Sequence, residues 1–196
     1  MQNHTQLPTG LSFSYETERL ILRLPSTDYL REIHDFLYRN RSCFEKYEPT
    51  APENYYTLDF QQTLARCELK LALKLSSVRF YVFLKEDPST IIGTVCLHNI
   101  IKLPYFTSEV GYKFDASYQH HGYAREALSM ALSVGFYGLG LHKIFARCMP
   151  ENTPNRNLLH ATGLFEEGIE RDSILIQGKW ENHIRYAILN PDEIHS

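Results

Sequence analysis

No run in this chain approaches the ~20 consecutive apolar residues that span a bilayer. The first ten residues, MQNHTQLPTG, show neither the basic n-region nor the apolar h-region of a secretory leader. These absences set the expectation of a soluble, cytoplasmic protein with no membrane partner. Cysteine is sparse: Cys43, Cys67, Cys96 and Cys148 lie far apart and never form CxxC, which disfavours a disulfide framework or a zinc knuckle and implies reduced core or half-buried thiols. An excess of positive charge is missing too. The formal charge is -3, so no global field recommends nucleic acid, and a cationic or neutral partner is favoured. There is no GxxxxGK followed by Ser or Thr, and no GxGxxG opens a βαβ unit, which weighs against a kinase or a dinucleotide enzyme. Repeats and low-complexity segments are absent as well.

What is present suits one compact core. With 196 residues, 43% of them hydrophobic, the chain is long enough for a single domain and short for two. We expect a polar tail over residues 1–12 and one domain over 13–192. ERLILRL places Leu20, Leu22 and Leu24 on one side of a strand that ends at Pro25. From Thr27 to Tyr47 the spacing of Tyr29, Ile33, Phe36 and Leu37 predicts a helix capped within Ser26–Asp28, and a second helix is expected over Leu58–Leu75.

The period then changes to two. VRFYVFLKED and TIIGTVCLHNI read as an antiparallel hairpin turning at 86–89, and SEVGYKF as a third strand. A helix over Gly122–Phe136, a strand in HKIFARCM and a helix with Thr153 as N-cap and Pro154 in its first turn follow, the last ending at Gly163. Two strands, Ile169–Ile176 and His183–Leu189, flank Gly178. The order predicts an α+β fold with a mixed sheet rather than a doubly wound one.

Between the third strand and the helix at 122 stands QHHGYA, Gln119 to Ala124. A glycine just before a helix lets backbone approach a ligand without a Cβ in the way, and the unpaired N–H groups of the first turn carry partial positive charge. Diphosphate is the natural guest, although a plain polar turn would read the same way. Ala124, Ala127 and Ala131 would let this helix pack closely on the sheet. His120 and His121, being adjacent, diverge and have no carboxylate or cysteine at partner spacing, so no metal is expected.

EVGYKFDASYQHHGYAREAL resembles the acetyl-CoA-binding strand, loop and helix of the GNAT N-acetyltransferases, whose loop reads Q/R-x-x-G-x-G/A; Gln119, Gly122 and Ala124 take its three places. ENTPNRNLLHATGLFEEG is similar to the ENxxSxxxxxxxGFxxEG stretch of the subgroup typified by RimJ and RimL, the ribosomal-protein acetyltransferases, through Glu151, Asn152, Gly163 and Gly168. TERLILRLP and RDSILIQGKWENHIRYAIL resemble that subgroup's first strand and final strand pair, so the resemblance spans about residues 15–190.

The resemblance implies a mixed, mostly antiparallel, splayed sheet flanked by helices, and acetyl transfer from acetyl-CoA to an amine by direct attack, without a metal. It implies that Gln119, His120, His121, Gly122, Tyr123, Ala124 and Arg125 bind the diphosphate, and that Tyr112, Lys113 and Phe114 hold pantetheine through main chain. It also implies that Asn152 contacts the cofactor and that Asn155 lies close to the thioester, with Glu109 the candidate base five residues before Phe114. The acceptor is then a small-molecule amine or a protein N-terminus, and a homodimer is a further expectation.

Three positions depart from the pattern. His120 replaces the usual glycine, Asn155 the usual serine, and Leu159 stands where many relatives carry a tyrosine that protonates the leaving thiolate. The general acid is therefore unassigned among Tyr118, Tyr123 and water, and the same departures motivate an alternative, a catalytically weak CoA-binding sensor. A nucleotide-binding protein is a third reading. Phe44 and Tyr47 come from the region that lines acceptor sites in the subgroup, where core packing would serve equally well, and Trp180 is expected to pack.

Overall fold

The computed structural model describes residues 7–193. Its frame is one eight-stranded sheet in the order β1-β2-β3-β4-β5-β6-β8-β7. The strands are β1 (Ser14–Glu16), β2 (Leu20–Arg23), β3 (Val78–Leu84), β4 (Ile91–Ile101), β5 (Thr107–Phe114), β6 (Lys143–Cys148), β7 (Phe165–Ile176) and β8 (Lys179–Leu189). Neighbours are antiparallel except β5 and β6, which run parallel and pair only over Thr107–Glu109 against Lys143–Phe145. Past Glu109 the two strands part, leaving alternate backbone groups of Val110–Phe114 facing a gap instead of a ladder. This is the splayed mixed sheet that the resemblance implied.

Both faces of the sheet are covered, so β3 reads as an almost unbroken apolar run. Phe80 and Val82 point to one side, where they meet Ala127, Leu128 and Ala131 of α4 (Tyr123–Ser133). Tyr81 and Phe83 point to the other, against Ile33, Phe36 and Leu37 of α1 (Leu30–Arg39) and Ala65 of α3 (Leu58–Leu73). On β5 the same alternation sends Val110 and Phe114 into the α4-side core.

Several elements differ from the sequence reading. The helix expected over Thr27–Tyr47 begins with a 3₁₀ turn, Thr27–Tyr29, and breaks at Asn40 into α1 and a single turn, α2 (Arg41–Phe44). Asn40 is buried; its Nδ2 donates to the Phe36 carbonyl (3.0 Å) while its Oδ1 accepts from the Ala116 N–H (3.2 Å). That side chain competes with helix continuation and reaches the start of the QHHGYA loop. α5 (Thr153–Ala161) is capped by Asn152 rather than Thr153, through an acceptor contact from the Asn155 N–H at 3.3 Å. α4 stops at Ser133, and a π-helical turn, Val134–Gly138, follows. There Gly138 touches Gly10 so closely that a Cβ on Gly10 would lie 1.9 Å from the Gly138 oxygen.

Leu11 is buried in the core, so packing begins ahead of residue 13. Of the cysteines, Cys96 and Cys148 are buried whereas Cys43 and Cys67 are exposed, against the expectation for those two. Trp180 is 58% exposed on the β7–β8 hairpin and does not pack as expected. Among the described residues no helix is long and apolar enough to cross a membrane.

Candidate active site

The loop between β5 and α4 is fixed at its start by Asp115, which accepts from Arg39 Nε (2.5 Å) and from the Ser117 N–H (2.9 Å). Burial alone would raise this carboxyl; the Arg39, Asn40 and Ser117 hydrogen bonds outweigh it and hold it below its ordinary value. The chain then turns through two left-handed residues, His120 (φ 64°) and Gly122 (φ 81°). Glycine takes that conformation freely, whereas the histidine, where the subgroup has glycine, accepts a strained backbone. No side chain caps α4, and among the described residues no oxygen accepts from the N–H groups of Tyr123, Ala124 and Arg125. The turn therefore presents free donors outward, as an anion site requires.

Two cavities flank the gap between β5 and β6. The first, about 310 Å³, runs from the loop to α5, lined by Tyr112, Phe114, Tyr118, Gln119, His120, Gly122, Tyr123, Ala124, Arg125, Pro154, Asn155 and Leu158. The second, about 490 Å³, opens towards α2 and the segment after it, where Cys43, Phe44, Lys46, Tyr47 and Glu48 form one wall and Lys113, Arg147 and Asn152 contribute to the other. They share Tyr112, Phe114, Gln119, Pro154 and Asn155. At this junction the Tyr112 hydroxyl donates to Asn155 Oδ1, and burial drives the phenol well above its ordinary range, so it keeps its proton. A larger groove of about 670 Å³, beside the π-helical turn and β8, is mainly apolar and shares no lining residue with either cavity.

Most of the residues implied as cofactor-binding therefore come together around the first cavity. Three do not line it. His121 instead donates from Nδ1 to the Gln119 carbonyl (2.7 Å) and stacks on Tyr123. Asn152 spends its Oδ1 on capping α5, and the Lys113 side chain crosses to Glu48, with Nζ–O distances of 2.8 and 3.1 Å. Burial lowers the Lys113 ammonium, against the pull of Glu48. Leu159 is fully buried in the core, and its neighbour Leu158 is the one that faces the cavity.

Glu109 sits where β5 and β6 part, only 8% exposed, and lines neither cavity. Its Oε2 accepts from Arg147 (2.5 Å) and lies 3.9 Å from Nδ1 of His98, the residue paired with it on β4. Burial lowers the His98 imidazole despite Glu109, so the ring is mainly neutral at pH 7. Arg147 is held on its other side by Glu170 (2.6 Å) and turns its remaining edge to the larger cavity. Sequence reading missed Arg147, although Lys143, Phe145 and Arg147 alternate along β6 and the period alone puts them on one face. It also missed the Tyr112 side chain, whose partner is 43 residues away.

A strap from the β7–β8 turn pins the α2-side wall of the larger cavity. Gln177, in the β7–β8 turn, donates from Nε2 to the carbonyls of Glu45 (3.0 Å) and Glu48 (3.1 Å). With the Lys113–Glu48 ion pair, this fixes the cavity-lining segment at residues 45 and 48.

A family model described as an acetyltransferase (GNAT) domain matches residues 19–164. The chain belongs to the GNAT acetyltransferase family. A probable N-acetyltransferase, YjcK, of Bacillus subtilis (strain 168) is 34% identical over 154 residues, covering 79% of this chain and 84% of that protein. The crystal structure of the ribosomal-protein-S5-alanine acetyltransferase of Vibrio fischeri superposes with a TM-score of 0.87 at 29% identity, covering 92% of this chain and 98% of the other. RimJ of Mycobacterium smegmatis, solved in complex with CoA-disulfide, has the same fold, with a TM-score of 0.83 at 23% identity over 90% of this chain and 84% of its own. The GNAT chain described here is an N-acetyltransferase; the sensor reading gains no support from these relatives.

Proposed function

We propose that this enzyme moves the acetyl group of acetyl-CoA to a primary amine by direct attack within a ternary complex, the acceptor being a protein N-terminal α-amine or a small-molecule amine. The observation that carries the reading is the meeting of two cavities at Tyr112 and Asn155, one backed by the free N–H groups of α4, the other opening towards α2 and the segment after it. In this reading the diphosphate lies over Gly122–Arg125 and pantetheine runs along the unpaired edge of Tyr112–Phe114. The thioester then falls at the shared residues. Holding both reactants there supplies much of the rate, because attack becomes effectively unimolecular.

The amine must lose a proton before it attacks. Glu109 receives it through water, since it lines neither cavity, and neutral His98 beside it passes the charge on to solvent. When the tetrahedral intermediate collapses, the C–S bond breaks with its electron pair on sulfur, and Tyr112 Oη donates a proton to that sulfur before being reprotonated from solvent. Of the five residues common to both cavities, Tyr112 alone carries a dissociable proton, so it replaces the tyrosine that Leu159 cannot supply.

The test is thiol release from acetyl-CoA against a panel of peptides with free α-amines and of small amines, preceded by thermal unfolding with acetyl-CoA, CoA, ATP and NAD. A ligand at 100 times its Kd adds roughly 2.7 kcal/mol of apparent stability. Stabilisation by CoA compounds alone with release for at least one amine is the expected result; binding without release for any amine would return the sensor reading.

A further inference from the structure

The TERL stretch, Thr17–Leu20, does more than open β2. Arg19 donates from NH1 to the His121 carbonyl (2.9 Å), one residue before Gly122, and its Nε and NH2 reach Glu126 Oε2 at 2.8 and 2.7 Å. Glu126, in the first turn of α4, also accepts at Oε1 from Thr17 Oγ1 (2.5 Å) and from the Arg19 N–H (2.8 Å). The guanidinium lies 4.6 Å from the centre of the Tyr123 ring, and its NH2 would sit 3.4 Å from a Cβ built on Gly122.

We propose that Arg19 is a positioning residue for the CoA diphosphate, a clamp that ties the left-handed loop to the first turn of α4 so that the free N–H groups converge. The inference rests on the cofactor reading above and deepens it. Two features of the loop call for such a clamp. His120 holds a conformation that a residue with a Cβ keeps only when its surroundings impose it, and α4 lacks the side-chain cap that would ordinarily fix its start. A third concerns charge. A carboxylate in the first helical turn competes with an anionic ligand for the positive end of the helix, and Arg19 and Thr17 occupy both oxygens of Glu126.

Titration calorimetry with CoA on wild type, Arg19→Ala, Arg19→Lys and the double variant Arg19→Ala/Glu126→Gln tests the clamp, with circular dichroism confirming folding. Arg19→Ala is expected to weaken CoA by about tenfold, the equivalent of one charge-assisted hydrogen bond. Lysine, which keeps the charge but has no fork to bridge His121 and Glu126, should recover less than half of that loss, and the double variant should stay about as weak as Arg19→Ala. Pantetheine, which has no diphosphate, should bind all four proteins alike. Full rescue by lysine, or by removing the Glu126 charge, would overturn the clamp and reduce Arg19 to charge cancellation; unchanged affinity in Arg19→Ala would overturn it outright. Failure of the wild type to bind CoA would instead overturn the cofactor reading on which it stands.

Discussion

Beside the cavity that opens towards α2, and sharing Lys113 with it, is a chamber of about 250 Å³ lined in part by Glu68, Arg79, Tyr81 and Thr94. Arg79 Nε meets Glu68 Oε1 at 2.5 Å, the two side chains being 28% and 11% exposed, and the Tyr81 hydroxyl donates to Glu68 Oε2 at 3.2 Å. Changing Glu68 to Ala would leave Arg79 nearly buried without its partner and facing the Lys113 ammonium across the chamber. Breaking a buried pair from one side costs about 3–5 kcal/mol; because Arg79 retains some solvent, the lower end, about 3 kcal/mol, is the expected loss. For a chain of this size that corresponds to a fall in Tm of roughly 6–12 °C. Calorimetry and urea unfolding of Glu68→Ala read it directly. The double variant Glu68→Leu/Arg79→Met, which removes both charges, should recover most of the loss. A single-variant cost below ~1 kcal/mol would refute the reasoning, since it would mean that the pair behaves as a surface ion pair.

Tyr112→Phe should lower kcat by about a hundredfold across the whole pH–rate profile, with little change in CoA affinity; unaltered kcat for an amine that the panel identifies would return the general acid to water. Gly122→Ala forces a Cβ into a φ of 81° and should cost about 1–2 kcal/mol of stability, read as a lower Tm; a loss within 0.3 kcal/mol of zero (~0.3, the additivity error of such measurements) would show that the turn relaxes. Asp115, Glu126 and Glu170 are held below their ordinary values by arginine and hydroxyl or amide partners that outweigh burial, and His98 is lowered by burial. In each case the unfolded chain binds protons first, so the stabilisation is present above the unfolded values and is lost as pH falls, from about pH 6.5 for His98 and about pH 4 for the carboxylates. Thermal unfolding between pH 7 and 3 should show Tm falling throughout; a flat or rising curve would contradict the assignments.

Local signals carried most of the fold. β3 and β4 were legible because both faces of the sheet are apolar and the turn between them is polar, and the loop was legible because Gln119, Gly122 and Ala124 are close in sequence. What escaped depended on distance. Asn40 ends α1 for the sake of a contact with Ala116, 76 residues away, and no period in residues 27–47 announces it. Asn152 took the cap from Thr153 because both are good caps and only the backbone path decides between them. Glu109 was placed on the right strand, but its pairing with Arg147 reflects the parallel contact of β5 with β6, which a linear reading does not contain. Leu159 and Leu158 show the same limit: on a short helix one step in phase separates the core from the cavity.

The strap from the β7–β8 turn has a bearing on how such an enzyme changes over generations. Gln177 grips main-chain oxygens of residues 45 and 48, not their side chains. Lys46 and Tyr47 can therefore be exchanged without loosening the frame that carries them, whereas Phe44, buried against Phe36, belongs to that frame; on the proposed reading, a lineage can recut the wall that meets the amine while the machinery for the thioester stays as it was.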